Sequence, residues 1–160
     1  MERNKDKIIH IFQCESTLTP PGLTMSHKFF EWFTDWSYEH DYALLTYQSL
    51  KECKRHIPFE LLAKAKYVFA HQGKEVYKYR GLKWMKKLED IETYKDSSSI
   101  IDKLLEDYKA FYLYSHDCHK HDRTLRDRLH VLKGSQVFEI GEWKDTVLYM
   151  KRNVWEEQNA

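Results

Sequence analysis

The chain is poor in the residues that make flexible connections, with only 5 glycines and 3 prolines among its 160 residues. Long flexible linkers are therefore not expected, and the length suits one domain with a core, or a core with a small lid. Neither sign of charge is in excess, because 26 Lys and Arg face 25 Asp and Glu. This balance gives no electrostatic reason to expect non-specific binding to nucleic acid or to an acidic membrane.

Cysteines and long apolar runs are also scarce. The three cysteines are odd in number and widely spaced, and no C-x-x-C pair occurs. A disulfide framework is therefore not expected, and a reducing compartment, the cytoplasm, is predicted. The first apolar run covers only residues 8–12 and contains a histidine, so neither a signal peptide nor a membrane span is predicted.

The first half of the chain alternates short apolar runs with helical periodicity. Buried strands are predicted at residues 8–12, 42–47 and 67–70. Between the first two, aromatic residues at helical spacing predict a helix over residues 28–39, with Ser26 as its N-cap. Consecutive strand–helix–strand units of this kind predict an α/β fold with a parallel sheet and helices on its faces.

The polar stretch after the first predicted strand carries a recognisable pattern, since residues 13–20 are Q-C-E-S-T-L-T-P. This stretch resembles the D-x-D-G-T-L-T-P signature of phosphatases and phosphomutases of the haloacid dehalogenase (HAD) superfamily. In that family the first Asp attacks phosphorus and the second protonates the leaving group. The resemblance places Gln13 at the nucleophile, Glu15 at the acid and Ser16 at the Gly, while Thr17 keeps the Thr of the motif.

Three later stretches resemble the same family and follow in its order. Residues 44–52 carry Thr46 where the family ends its second strand with Thr or Ser, and residues 68–77 resemble its third strand and Gly turn. Residues 137–148 resemble the trehalose-phosphatase, sucrose-phosphatase and phosphomannomutase branch, with Lys144 at the position of the phosphate-clamping Lys.

The resemblance implies a truncated three-layer α/β/α HAD-like core with a parallel sheet and a small α+β cap. Residues 1–82 would form the first part of the core and residues 83–140 the cap. The cap would contain strands predicted at residues 110–115 and 136–140. Residues 141–160 would be a C-terminal helix that returns to the core.

The departures from the motif predict a catalytically silent domain that acts by binding a protein or a ligand. A glutamine amide is a poor nucleophile where an aspartyl-phosphate must form. The resemblance places the family's magnesium-binding acidic motif after residue 154, where no suitable residue follows. We therefore expect no catalytic residue, no metal site and no cofactor. We predict a vestigial ligand-binding cleft made of Gln13, Glu15, Thr17, Thr46 and Lys144.

Simpler interpretations compete with this site and with a second cluster. Thr46 is also an ordinary strand terminator, and Lys144 an ordinary surface lysine. Residues 116–121 (H-D-C-H-K-H) carry side chains that suit zinc or copper. Because so many ligands within six residues do not easily converge on one tetrahedral ion, a polar loop is the preferred interpretation.

Two other functions remain open. One is a small HAD-type phosphatase or phosphotransferase with altered catalytic residues, acting on a phosphorylated sugar or nucleotide. The other is a nucleic-acid accessory protein that uses the basic and aromatic residues 83–87. Nucleic acid is nevertheless not favoured as a partner, since this is one short patch in a neutral protein.

A protein partner or a homodimer is expected from the implied order of the strands. In the family the strand after the Lys144 helix lies beside the first strand, and this chain reaches residue 160 close to that helix. Strand 8–12 would then have an open edge, which another chain or residues 154–160 would cover. The alternative is that strand 8–12 is flanked on both sides.

Overall fold

The computed structural model describes most of the chain, namely residues 8–20, 23–71, 75–79, 91–94, 106–116, 136–142 and 144–150. These residues contain seven strands: β1 (Ile8–Gln13), β2 (Asp41–Leu45), β3 (Val68–Ala70), β4 (Glu75–Tyr79), β5 (Ile91–Tyr94), β6 (Ala110–Ser115) and β7 (Gln136–Glu139). They also contain α1 (His27–Ser37), α2 (Leu50–Cys53) and α3 (Phe59–Lys64). Residues 145–150 are helical as well.

The seven strands form one sheet in the order β5-β4-β3-β2-β1-β6-β7. The five strands from β3 to β7 through β1 are mutually parallel. Strands β4 and β5 continue the sheet beyond β3 in antiparallel pairing. The α/β fold predicted from the alternating runs is therefore confirmed, with a sheet that is mixed rather than purely parallel.

Strand β1 lies inside the sheet and has no open edge. It pairs with β2 along Ile9–Gln13 and with β6 along Ile8–Phe12. The expectation that Ile8–Phe12 is an uncovered edge is therefore wrong, because β6 covers it from within the same chain. The expected partner or homodimer loses this docking surface, and a partner of any kind stays a prediction.

The two strands expected in a cap are also placed differently. Both β6 and β7 belong to the central sheet, where β6 pairs with β1 and β7 pairs with β6. The burial of all six residues of β6 explains this placement, because strands inside parallel sheets are apolar on both faces. The boundary proposed between residues 82 and 83 lies outside the described residues.

Local sequence signals account for the first helix. Ser26 has an extended backbone, and its hydroxyl accepts a hydrogen bond from the Phe29 amide at 3.2 Å. The predicted N-cap is thus confirmed. The helix ends at Ser37 rather than at the predicted residue 39, and its buried side chains Phe29, Phe33 and Trp36 face the sheet.

The sheet has a separate hydrophobic core on each face. Alternate residues of a strand point to opposite faces, so Phe12 of β1 packs in the core that includes Phe33 and Trp36 of α1. Ile9 and Ile11 pack in the other core, with Phe69 and Phe111 among their neighbours. In the described part of the chain, no helix is long and apolar enough to cross a membrane.

Candidate functional site

The sheet brings the ends of three strands together at one edge. Strands β1, β2 and β6 are parallel, so their carboxyl ends lie side by side. Across these ends the residues come in the order Thr46, Gln13 and Ser115. The chain proceeds from β1 to β2 on one side, whereas β6 and β7 lie on the other. Ligands of open α/β sheets bind outside the carboxyl ends of the strands at such a switch point, which makes this edge the candidate site.

Gln13 is held against the end of β6. Its side chain is buried, and its amide oxygen accepts hydrogen bonds from the Ser115 hydroxyl at 3.2 Å and the His116 amide at 2.8 Å. A carbonyl oxygen has two lone pairs, so both are occupied. The contacts orient the Gln13 oxygen towards β6.

Glu15 is held by the end of β2. One carboxylate oxygen, Oε1, accepts hydrogen bonds from the Thr46 hydroxyl and from the Tyr47 amide, the latter at 3.1 Å. The Thr46 oxygen accepts in turn from the Gln48 amide at 3.1 Å. The other carboxylate oxygen, Oε2, is buried and has no hydrogen-bond partner among the described residues. Glu15 is therefore fixed in orientation but only half satisfied.

The turn after Glu15 departs from ordinary backbone geometry. Ser16 has a φ of 62°, a left-handed conformation that favours glycine, and it occupies the position of the Gly in the signature. In the described part of the chain the buried Thr17 hydroxyl has no hydrogen-bond partner, while the Thr17 carbonyl accepts from the Thr146 hydroxyl at 2.5 Å. The helical residues 145–150 thus contact the loop after β1.

The structure brings together some of the predicted site residues but not all of them. Glu15 and Thr46 are in contact, and Gln13 ends the strand beside them. Lys144 is exposed, and within the described part of the chain no hydrogen bond or ion pair joins it to the other four. A place for Lys144 in the cleft therefore stays a prediction.

A small cavity lies beside Glu15. Its volume is about 40 Å³, and its lining includes Cys14, Glu15, Gln48, Cys53 and His56. This volume accommodates a few water molecules, whereas pockets for small-molecule ligands are typically several hundred Å³. A nucleotide or sugar phosphate would therefore lie outside the cavity, over the strand ends.

Two contributors to the site, Ser115 and His116, were not predicted from the sequence. They belong to the end of a strand that was expected in the cap. The continuous apolar run of residues 110–114 was the available signal, since it is typical of a central strand. Thr146 was missed because one threonine near a helix start has no distinctive pattern.

The placement of β6 also changes the argument about metal binding. An acidic motif was sought after residue 154, yet the strand beside β1 is β6, and the sequence continues from it as His116-Asp117. The lack of an acidic motif after residue 154 therefore does not exclude carboxylates at the carboxyl end of the strand beside β1. Residues 117–121 of the predicted polar cluster lie outside the described residues. Within the described residues, no group of three metal-binding side chains occurs.

Comparison with solved structures supports the fold. One structure of Plasmodium falciparum IMP-nucleotidase is similar over 63% of this chain and 32% of its own, at 10% identity and a TM-score of 0.42. An N-terminally truncated, IMP-bound form of that protein is similar over 91% of this chain and 68% of its own, at 10% identity and a TM-score of 0.59. No family model matches the chain. No curated protein sequence matches it.

The second of these likenesses, together with the strand order, supports a HAD-like α/β fold. At 10% identity it extends to the fold alone. The particular branch of the superfamily named from residues 137–148 stays a prediction.

Proposed function

We propose that this chain is a phosphatase-like domain that binds a phosphate ester at the carboxyl ends of β1, β2 and β6 without hydrolysing it. The observation that carries the proposal is Gln13, an amide at the end of the central strand whose oxygen accepts two hydrogen bonds from the end of β6. An amide in this position supplies neither negative charge nor a free lone pair for attack on phosphorus.

Unsatisfied polar groups at the same edge support ligand binding. Glu15 Oε2 and Thr17 Oγ1 are both buried, and no described residue forms a hydrogen bond with either. Burying a polar group without a partner costs free energy, and a bound ligand or water would offset that cost. A hydroxyl-bearing phosphate ester offers donors for the carboxylate and acceptors for the hydroxyl.

The class of ligand to test first is a nucleoside monophosphate. The similar solved structure with the better superposition is an IMP-bound nucleotidase, and sugar phosphates are the next candidates from the sequence resemblance. Because the Glu15 carboxylate repels a phosphate, binding should be measured both with and without Mg²⁺.

The test measures binding and turnover on the same preparation. Calorimetric titration with IMP should give saturable heat, whereas inosine, which lacks the phosphate, should bind more weakly or not at all. Incubation of the protein with IMP or p-nitrophenyl phosphate and Mg²⁺ should release no more inorganic phosphate than a mock preparation. Absence of IMP and sugar-phosphate binding would overturn the ligand part of the proposal.

The alternative is a small phosphatase with an altered nucleophile. The fixed orientation of Glu15 by Thr46 and Tyr47 favours it, since a general acid must be held in place. Phosphate release well above the mock preparation, abolished by Glu15→Ala, would establish this alternative. Release by Gln13→Asp but not by the wild type would instead locate the lack of activity at position 13.

Action through a protein partner remains part of the proposal, although the edge of β1 no longer supports it. Light scattering over a concentration series tests for a homodimer. The nucleic-acid alternative depends on residues 83–87, which lie outside the described residues, and salt-dependent retention on nucleic acid tests it.

A further inference from the structure

Two cysteines meet beside the loop that carries Glu15. Cys14 follows β1 directly and Cys53 is the last residue of α2, and their sulfur atoms are 3.8 Å apart although 39 residues separate them in sequence. Both are buried and both are free thiols. Neither the HAD resemblance nor the proposed function uses this pair.

We propose that Cys14 and Cys53 form a dithiol site that small disulfides oxidise to a reversible intramolecular disulfide. A disulfide has a sulfur–sulfur distance of about 2.05 Å, so the two sulfurs must approach by about 1.7 Å from their present 3.8 Å. Side-chain rotation with a small shift of α2 or of the loop would cover this distance. The proposal is independent of what the cleft binds.

The neighbouring cavity supplies space for the two cysteine side chains to move. Cys14 and Cys53 both line the cavity of about 40 Å³. Interiors packed to normal density do not yield easily to a shift of more than an ångström, whereas side chains that border a void have room to move. A volume that holds only a few water molecules does not admit a disulfide, so the reagent would reach the sulfurs when the loop or α2 moves aside.

The oxidation balances with a disulfide as the oxidant. One cysteine attacks a small disulfide R–S–S–R, whose S–S bond breaks to release one R–SH and leave a mixed disulfide on the protein. The second cysteine then attacks the protein sulfur of that mixed disulfide and releases the second R–SH. Two cysteine S–H bonds are lost, one protein S–S bond forms, and the small disulfide is reduced to two thiols.

The surroundings of Cys14 lower the reactivity of its thiol. Its hydrogen bond with Cys53, its burial and the nearby charges of Cys53 and Glu15 raise the pKa of the Cys14 thiol well above its ordinary value. A thiol rather than a thiolate is slow to react. The pair therefore resists casual oxidation and reacts slowly with an added disulfide.

The bridge would act on the candidate site because of where it is anchored. Cys14 lies between Gln13 and Glu15, and α2 begins just after the residues that hold the Glu15 carboxylate. A bond between Cys14 and Cys53 would therefore join the loop after β1 to the element after β2. It would limit the relative movement of the two segments that border the cleft.

The test uses the full chain with Cys118→Ser, so that only Cys14 and Cys53 remain. The folded Cys118→Ser variant is treated with cystamine. It is then denatured, alkylated with a maleimide and digested for peptide mapping. We expect both thiols to be lost to alkylation, the Cys14 and Cys53 peptides to be joined, and the mass to fall by two hydrogen atoms. Dithiothreitol should restore both thiols, and the oxidised form should melt at a higher temperature, because the bridge constrains the unfolded chain.

Two controls keep the outcome decisive. Cys53→Ala in the same background should yield no joined peptides and no rise in melting temperature. If Cys118→Ser does not fold, the wild type is mapped in the same way, since the joined peptides identify the pair. Two free thiols after treatment, separate cysteamine adducts on each cysteine, or peptides joined between two copies would each overturn the proposal.

Discussion

The body of β1 and the loop at its carboxyl end differ in whether their buried polar groups have described hydrogen-bond partners. Within the strand, His10 is buried, and its Nδ1 lies 3.0 Å from the Tyr114 hydroxyl on the neighbouring strand. In the loop, Glu15 Oε2 and Thr17 Oγ1 are buried with no hydrogen-bond partner in the described ranges, and Ser16 has a left-handed backbone. One strand thus passes from satisfied packing to unsatisfied polar groups within a few residues.

This difference is consistent with the binding proposed at the loop, although Trp36 Nε1 in the core below β1 is also buried without a described hydrogen-bond partner. Unpaired buried groups and strained residues persist where the surrounding structure compensates for them, and they concentrate at functional sites. Here the hydrophobic core below β1 provides the stability that offsets the cost of these groups. Substitutions in the two regions should therefore differ in both size and sign.

The largest effect is expected in the core below β1. Phe33 is fully buried, and its ring centroid lies 5.2 Å from that of Phe12. Phe33→Ala should lower the free energy of unfolding by about 3–5 kcal/mol, because it removes buried area and leaves a cavity. Phe30→Ala, on the same helix but only half buried, is the matched control for urea denaturation. An equal loss in both variants would contradict the packing described for α1.

The next effect concerns the hydroxyl that joins β2 to the loop. Thr46 donates to Glu15 and accepts from the Gln48 amide. Thr46→Val should cost about 1–3 kcal/mol, because it leaves buried polar partners without their hydrogen bonds. Thr46→Ser keeps the hydroxyl and should retain most of the stability in thermal melts. If Thr46→Val and Thr46→Ser have the same melting temperature, the hydroxyl is not contributing these bonds.

A smaller effect of opposite sign is expected at Ser16. Its φ of 62° is costly for a residue with a Cβ, so Ser16→Gly should raise the free energy of unfolding by about 0.5–1 kcal/mol after the backbone entropy of glycine is counted. Ser16→Ala keeps the Cβ and should give no gain. Chemical denaturation of both variants beside the wild type checks the sign, and a loss on Ser16→Gly would refute a strained turn.

The smallest effect on stability is expected at Thr17. Its hydroxyl has no hydrogen-bond partner among the described residues. Thr17→Val should therefore either leave the free energy of unfolding unchanged to within about 0.5 kcal/mol or raise it. If that hydroxyl contacts the ligand, the same variant should weaken IMP binding in calorimetry. A stability loss as large as that of Thr46→Val would show that the hydroxyl is already engaged in the free protein.

The sequence predicted most strands but not how they are arranged, since residues 110–115 and 136–140 were recognised as strands but not as members of the central sheet. Ser26 was recognised as an N-cap because its signal is local, and the apolar runs of β1 to β3 were recognised for the same reason. Strand β5 was missed because its four residues, I-E-T-Y, are too few for an apolar pattern to stand out. The five predicted site residues were chosen through a resemblance, and the place of Lys144 among them stays a prediction.

The sequence by itself determined the type and burial of the elements from β1 to β3, and it put Gln13 and Glu15 directly after the first strand. Burial periodicity and capping depend on residues a few positions apart, so a single sequence contains that information. Only the tertiary structure decided that β6 lies beside β1. The contact of Gln13 with Ser115 and His116 spans more than a hundred residues, and pairing over such a distance depends on which apolar strand fills the centre of the sheet. The meeting of Cys14 with Cys53 has the same origin, since it requires α2 to pack against the end of β1.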